Sequence, residues 1–174
     1  EVTLEQGEII VMGNAMLGYV NEPASWYPDR IATGDLGCCD DAGFLHIEGR
    51  KKNLLISSYG RNISPEWVES ELLANPMFAE VILLGDAKPY CVALIWLRED
   101  NSIGVTETNS RINDWIRKVN VGLPDYAQIQ AWHRLSEPLQ QNPTLMTDNG
   151  RPRREAIAQK FAKEVEDLYA QEAN

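Results

Sequence analysis

The chain has 174 residues, 44% of them hydrophobic and 24% charged, a composition that supports a packed globular fold and excludes a disordered one. Acidic residues outnumber basic ones 26 to 16, so the formal net charge is −10 and a nucleic-acid partner is disfavoured, leaving only a local basic patch to hold a small anion. The longest clean apolar run, Cys91–Leu97, is too short to cross a bilayer, so no membrane segment is expected.

Three cysteines, two of them adjacent (Cys38, Cys39), build no disulfide framework. With only His46 and His133 available, no zinc-ligand spacing forms and no metal ligand set is assigned to the chain. Reduced thiols in a cytoplasmic protein are the expected reading. Glu1–Glu5 contains no basic n-region and no initiator Met, which predicts no signal peptide and a chain that begins partway through a longer protein.

In chain order, the first fifty residues predict short strands separated by turns. Gly7–Gly13 brackets a β-prone run, Thr33–Gly37 and Asp40–Gly43 carry turn chemistry, and Phe44–Glu48 alternates like a half-buried strand. This stretch has too few apolar residues to bury a core of its own and is expected to belong to a larger body. After Gly49 come the basic segment Arg50–Asn53, a strand at Leu54–Ile56 and a loop at Ser57–Gly60. Ser64 and Pro65 open a helix, with Glu66 and Glu69 toward its positive end and Val68, Leu72 and Leu73 as its buried stripe; Asn75-Pro76 stops it.

Strands are predicted at Glu80–Leu84 and Cys91–Leu97 around the turn Gly85–Pro89. Ile112, Trp115, Ile116 and Val119 recur at helical spacing across Asn109–Asn120, and Leu123–Tyr126 breaks that helix. A strand follows near Gln130–Leu135, then a loop to Arg151. One helix over Arg153–Ala170 would bury Ile157, Phe161, Val165 and Leu168. The expected fold class is α+β: a small mixed sheet with packed helices, preceded by a short β-rich piece.

Taken singly, the polar clusters have structural explanations: Thr33-Gly34-Asp35 a capped turn, Arg50–Lys52 a solvated charge run, Gly60 a turn that needs positive φ. Arg151–Arg154 differs, because cations at the start of a helix oppose its dipole, which gives a functional reason more weight there than for an ordinary basic cluster.

Order and spacing carry further. Gly18–Pro23, Thr33–Gly37, Asp41–Phe44, Gly49–Lys52, Ser58–Glu69, Leu123–Tyr126 and Leu145–Arg154 together resemble the consecutive signatures of the adenylate-forming (AMP-binding) superfamily, across nearly the whole chain. The resemblance implies the C-terminal portion of an acyl-CoA synthetase or fatty acyl-AMP ligase-like enzyme. Residues 1–51 would end its β-rich N-terminal domain and residues 52–174 would form its C-terminal lid. It also implies ATP with Mg2+, bound mainly by the absent N-terminal domain, a carboxylic acid substrate, expected to be a fatty acid, and coenzyme A or a carrier protein as acceptor. A fragment of this extent is expected to be inactive alone.

The resemblance assigns roles residue by residue. Asp35 matches the ribose-binding carboxylate, and Arg50 the arginine that approaches the same ribose. Lys52 matches the hinge at which the lid swings between adenylation and thiol transfer. Gly60 would let a pantetheine arm pass, and Arg61 would pair with coenzyme A phosphates. Arg151 occupies the catalytic position, after Gly150, where a lysine is usual. Arginine keeps the charge but not the compact shape. Three alternatives follow: Arg151 supplies the cation, Arg153 substitutes for it, or adenylation is weakened, as in a non-catalytic relative of the fold.

Overall fold

The computed structural model describes residues 1–13, 16–98 and 105–171. The chain divides into two compact units, Glu1–Leu54 and Leu55–Asn174.

The first unit is a four-stranded antiparallel sheet in the order β1 (Val2–Glu5), β2 (Glu8–Met12), β3 (Arg30–Cys39), β4 (Leu45–Arg50). A two-residue turn, Gln6-Gly7, joins β1 to β2 with φ of 51° and 81°, the left-handed pair that such hairpins use. Thr33–Gly37, expected as a turn, lies inside β3 instead. Its turn-type residues serve a bulge: Gly34 takes φ 74° and the register with β2 shifts between Glu8 and Ile10. Asp40–Gly43 is the turn between β3 and β4, where Asp40 Oδ1 accepts from the amides of Ala42 (3.0 Å) and Phe44 (2.8 Å).

Phe44–Glu48 departs from the half-buried alternation expected of it. Phe44, Leu45 and Ile47 are all exposed; among the described residues of the first unit, Ile9 and Ile10 are the hydrophobic side chains that are buried.

The second unit is built on the sheet β7 (Phe78–Leu84), β8 (Cys91–Leu97), β9 (Ile129–Arg134), with β7 antiparallel and β9 parallel to the central strand. A parallel neighbour needs a long crossover, and helix α2 (Val105–Gly122) supplies it between β8 and β9. The sheet is covered on both faces. Val81, Leu83, Ala93 and Ile95 face α1 (Pro65–Leu73) and α2, whose Val68, Leu72, Ile112 and Ile116 complete one core. Ile82, Leu84, Val92 and Leu94 face α3 (Arg154–Lys160) and α4 (Ala162–Gln171), with Ile157 and Leu168. Two-sided burial explains why β8 reads as an unbroken apolar run. This is the mixed α+β architecture expected, with a two-stranded ribbon, β5 (Leu55–Ile56) and β6 (Asn62–Ile63), against the first core.

Three local expectations change. Ser64 takes the extended backbone of an N-cap without a side-chain capping bond, so Pro65 and Glu66 carry the helix start. Leu73 is exposed, and Glu69 occupies the buried stripe in its place. The last helix is two: Phe161 leaves helical geometry at φ −103°, ψ 22°, although its amide still bonds Ile157 and its carbonyl still accepts from Val165. No Gly or Pro announces that break.

Cys91 is fully buried and its thiol is pushed up to about 12 by that burial, whereas Cys38 and Cys39 are exposed. Alkylation of the native protein at about pH 8 is therefore expected to modify Cys38 and Cys39 and to reach Cys91 only after denaturation. Peptide mass mapping checks this; labelling of native Cys91 at the rate of Cys39 would contradict it.

Candidate functional site

Asp35, Arg50 and Lys52 fall in the first unit, and Gly60, Arg61 and Arg151 in the second. Within the first unit the bulge at Gly34 aims the side chains. The Thr33 hydroxyl donates to the Ile9 carbonyl at 2.8 Å and accepts from the Asp35 amide at 3.1 Å, while the Gly34 amide donates to Glu8 Oε1 at 3.0 Å. Asp35 and Arg50, 15 residues apart in sequence (50 − 35), are direct cross-strand partners in the β3–β4 ladder. Arg50 Nε donates to Asp35 Oδ1 at 2.7 Å, and its Nη1 to the Thr33 carbonyl at 3.2 Å. Both side chains stay partly open to solvent, so a hydroxyl-bearing ligand could reach the carboxylate and the guanidinium together.

Lys52 stands exposed in a single 3-10 turn, Lys51–Asn53, directly after β4. Its neighbour Lys51 is tied down, with Nζ donating to Glu8 Oε2 at 2.8 Å; that bond holds the Glu8 carboxyl below its ordinary range.

In the second unit Gly60 sits at φ 73° in the tight turn between β5 and β6, and its Cβ position is open space. The turn is closed by the Ser57 amide on the Arg61 carbonyl (2.9 Å), the Gly60 amide on the Ser57 carbonyl (2.8 Å) and the Arg61 amide on Ser57 Oγ (3.2 Å). The Ser58 amide also donates to the Lys88 carbonyl at 2.9 Å. The Arg61 guanidinium lies over the Tyr126 ring, 5.8 Å from its centroid.

Arg151 closes a second turn. The Thr147 amide donates to its carbonyl at 2.8 Å, and the Arg151 amide donates to Thr147 Oγ1 at 2.9 Å. Its exposed guanidinium has no partner among the described residues. The three neighbouring arginines thus differ in kind. Arg153 donates through Nε to the Met146 carbonyl at 3.2 Å. Arg154 is sealed in a bidentate pair with Glu69, Nη1–Oε1 2.8 Å and Nη2–Oε2 2.7 Å, and Glu69 Oε1 also accepts the Leu83 amide at 2.7 Å. For Arg154 the cation at the helix start has a structural reason, the pair with Glu69.

Burial pushes the Glu69 carboxyl upward, opposed by the Arg154 charge and hydrogen bonds; Arg154 itself stays charged, the paired carboxylate outweighing its own burial. Gly60 and Arg61 rise from the ribbon against the first core, and Arg151 follows Leu145 and Met146 of the second. The structure therefore unites Asp35 with Arg50, and keeps Arg151 on the opposite face of the sheet from the Gly60 turn. Sequence reading missed Tyr126 beneath Arg61, and the Glu69–Arg154 tie, whose members lie 85 residues apart. An acid inside an apolar helical stripe was the available signal for the second.

The family model described as AMP-binding enzyme C-terminal domain matches residues 52–173. The chain belongs to this family. The AMP-binding C-terminal domain, with the strands before it, is 28% identical to the long-chain-fatty-acid–CoA ligase FadD15 of Mycobacterium tuberculosis over 191 aligned positions, covering 97% of this chain and 32% of that protein. It is similar to the o-succinylbenzoate CoA synthetase of Bacillus subtilis in complex with its acyl-adenylate intermediate, with TM-score 0.67 and 27% identity over 89% of this chain and 33% of the other. The A-PCP didomain of carboxylic acid reductase from Segniliparus rugosus, in complex with AMP, gives TM-score 0.79 over 96% of this chain and 25% of that one; at 21% identity the likeness is of fold. The chain spans about a third of the length of the ligase FadD15.

Proposed function

We propose that the chain is the C-terminal part of an ATP-dependent carboxylate ligase that forms an acyl-adenylate and passes the acyl group to a thiol. Residues 1–51 would close the adenylating domain and residues 52–174 would form the mobile lid, with Lys52 at the hinge. The Asp35–Arg50 pair carries this reading. A carboxylate can accept from two vicinal hydroxyls at once, and the adjacent guanidinium fixes its orientation. ATP and Mg2+ would be held chiefly by the part of the enzyme upstream. A long-chain fatty acid is the favoured acid, from the likeness to the mycobacterial ligase, and coenzyme A the favoured acceptor. The excess of acidic residues supports small-molecule partners over nucleic acid, and the absence of disulfide pairs suits a cytoplasmic enzyme.

Arg151 would supply the cation that meets negative charge building on the α-phosphate as the carboxylate attacks. Of the basic cluster at 151–154, its guanidinium is the one left entirely to solvent among the described residues. Pyrophosphate leaves, and the acyl-adenylate then loses AMP to the attacking thiolate.

ATP–pyrophosphate exchange by the complete protein, across a panel of carboxylic acids, tests the reading; no exchange with any acid would overturn it. Asp35→Ala is expected to raise the KM for ATP about tenfold or more, since hydrogen bonds to a charged group are worth about 1.5–3 kcal/mol. An unchanged KM in that variant would remove the ribose assignment.

A further inference from the structure

The Arg61 guanidinium has an aromatic partner where other arginines of the chain have a carboxylate. In a chain with 26 acidic against 16 basic residues, several surface arginines find carboxylates: Arg30 pairs with Glu5, Arg111 with Glu107 and Arg117 with Asp114. Among the described residues Arg61 pairs with none; what its guanidinium meets is the face of Tyr126. A cation held over a ring keeps its in-plane N–H donors for an outside acceptor.

Both halves of this stack are held by backbone. Arg61 is bonded through its amide and its carbonyl to Ser57, which is buried. Tyr126 lies in the 3-10 turn Asp125–Ala127, between Leu123 and Ala127, which are both buried in the first core, and its own amide donates to Asp125 Oδ1 at 2.8 Å. The ring therefore restrains a side chain that would otherwise sample many rotamers. The stack follows directly on Gly60, beside which the surface is open.

We propose that Tyr126 is a positioning residue that holds the Arg61 guanidinium for a phosphate group of the acceptor thiol, an inference that rests on the thiol-transfer reading above. A planar guanidinium gives phosphate two parallel N–H···O bonds, so its orientation matters as much as its charge. The phosphate has two sources, the nucleotide end of coenzyme A and the phosphodiester that ties phosphopantetheine to a carrier protein.

The test uses the complete protein and three acceptors: coenzyme A, pantetheine, which carries no phosphate, and a phosphopantetheinylated carrier protein. Tyr126→Leu is expected to raise the acceptor KM about two- to fivefold, the range of an exposed cation–π contact, with kcat kept. The shift appears with the acceptor whose phosphate Arg61 binds, which distinguishes the two sources, and is absent with pantetheine. Tyr126→Phe keeps the ring and the wild-type KM. In an Arg61→Ala background Tyr126→Leu adds nothing further.

An equal shift with pantetheine, a shift that persists without Arg61, or no shift with either phosphate-bearing acceptor would each overturn the proposal. Failure of the wild-type protein in pyrophosphate exchange would instead overturn the ligase reading, so the two failures are separable.

Discussion

Replacing Arg151 with alanine is expected to slow acyl-adenylate formation about 10²–10³-fold, the usual effect of removing one donor aimed at a developing negative charge. Transfer from a chemically prepared acyl-adenylate to the thiol should stay near wild type, because the Arg151 turn and the Gly60 turn arise from opposite faces of the sheet. Arg153→Ala should cost less, since Arg153 already spends its Nε on the Met146 carbonyl. Arg151→Lys should retain most of the rate, a compact ammonium being the group the family usually places there. Pyrophosphate exchange and single-turnover thiolysis measure the two steps separately. A loss within about threefold in Arg151→Ala would mean that the cation lies elsewhere.

The second large effect is on stability. Glu69→Ala is expected to destabilise the second unit by about 3 kcal/mol, because it leaves the part-buried Arg154 charge with only the looser Glu66 carboxylate at 3.6 Å. Arg154→Ala is the informative partner. It leaves a buried carboxyl already pushed up by burial and now without its opposing cation. A carboxyl whose folded pKa is raised gives stability that is complete below its unfolded value and is lost as pH rises through the folded value. The deficit of Arg154→Ala should therefore shrink as pH falls toward the ordinary 4.5 of a glutamate, whereas Glu69→Ala should show no such recovery. Denaturation midpoints at several pH values check both. Parallel pH profiles for the two variants would contradict the pairing.

The sequence was readable where periodicity and punctuation agreed. Cys91–Leu97 is the strand the apolar run predicts, and Pro65 and Asn75-Pro76 bracket α1 as expected. Thr33–Gly37 misled because a strand bulge and a turn ask for the same residues: a glycine at positive φ and a short polar side chain bonded to nearby backbone. The break at Phe161 has no breaker residue, and the Phe161 side chain packs partly buried against the second core. Of the candidate site, Asp35 and Arg50 were singled out together because they stand in motifs of recognisable order. Their 2.7 Å contact was not legible, because it depends on β3–β4 register shifted by a bulge between Leu36 and Gly37. Tyr126 and Glu69 escaped for a different reason. Each acts through a partner distant in the chain, Arg61 and Arg154, and single-chain periodicity holds no record of such pairings.

The tie between Arg154 and Glu69 has a mechanical corollary for Arg151. Three residues downstream of that exposed guanidinium the Arg154 side chain is tied to Glu69 of α1 and to the Leu83 carbonyl of β7, and upstream the Thr147 loop is bonded to Arg151 itself. The charge thus stands on a short segment that is tethered on both sides. On the proposed function, a longer stroke of Arg151 toward a nucleotide would fall to the body that carries this segment.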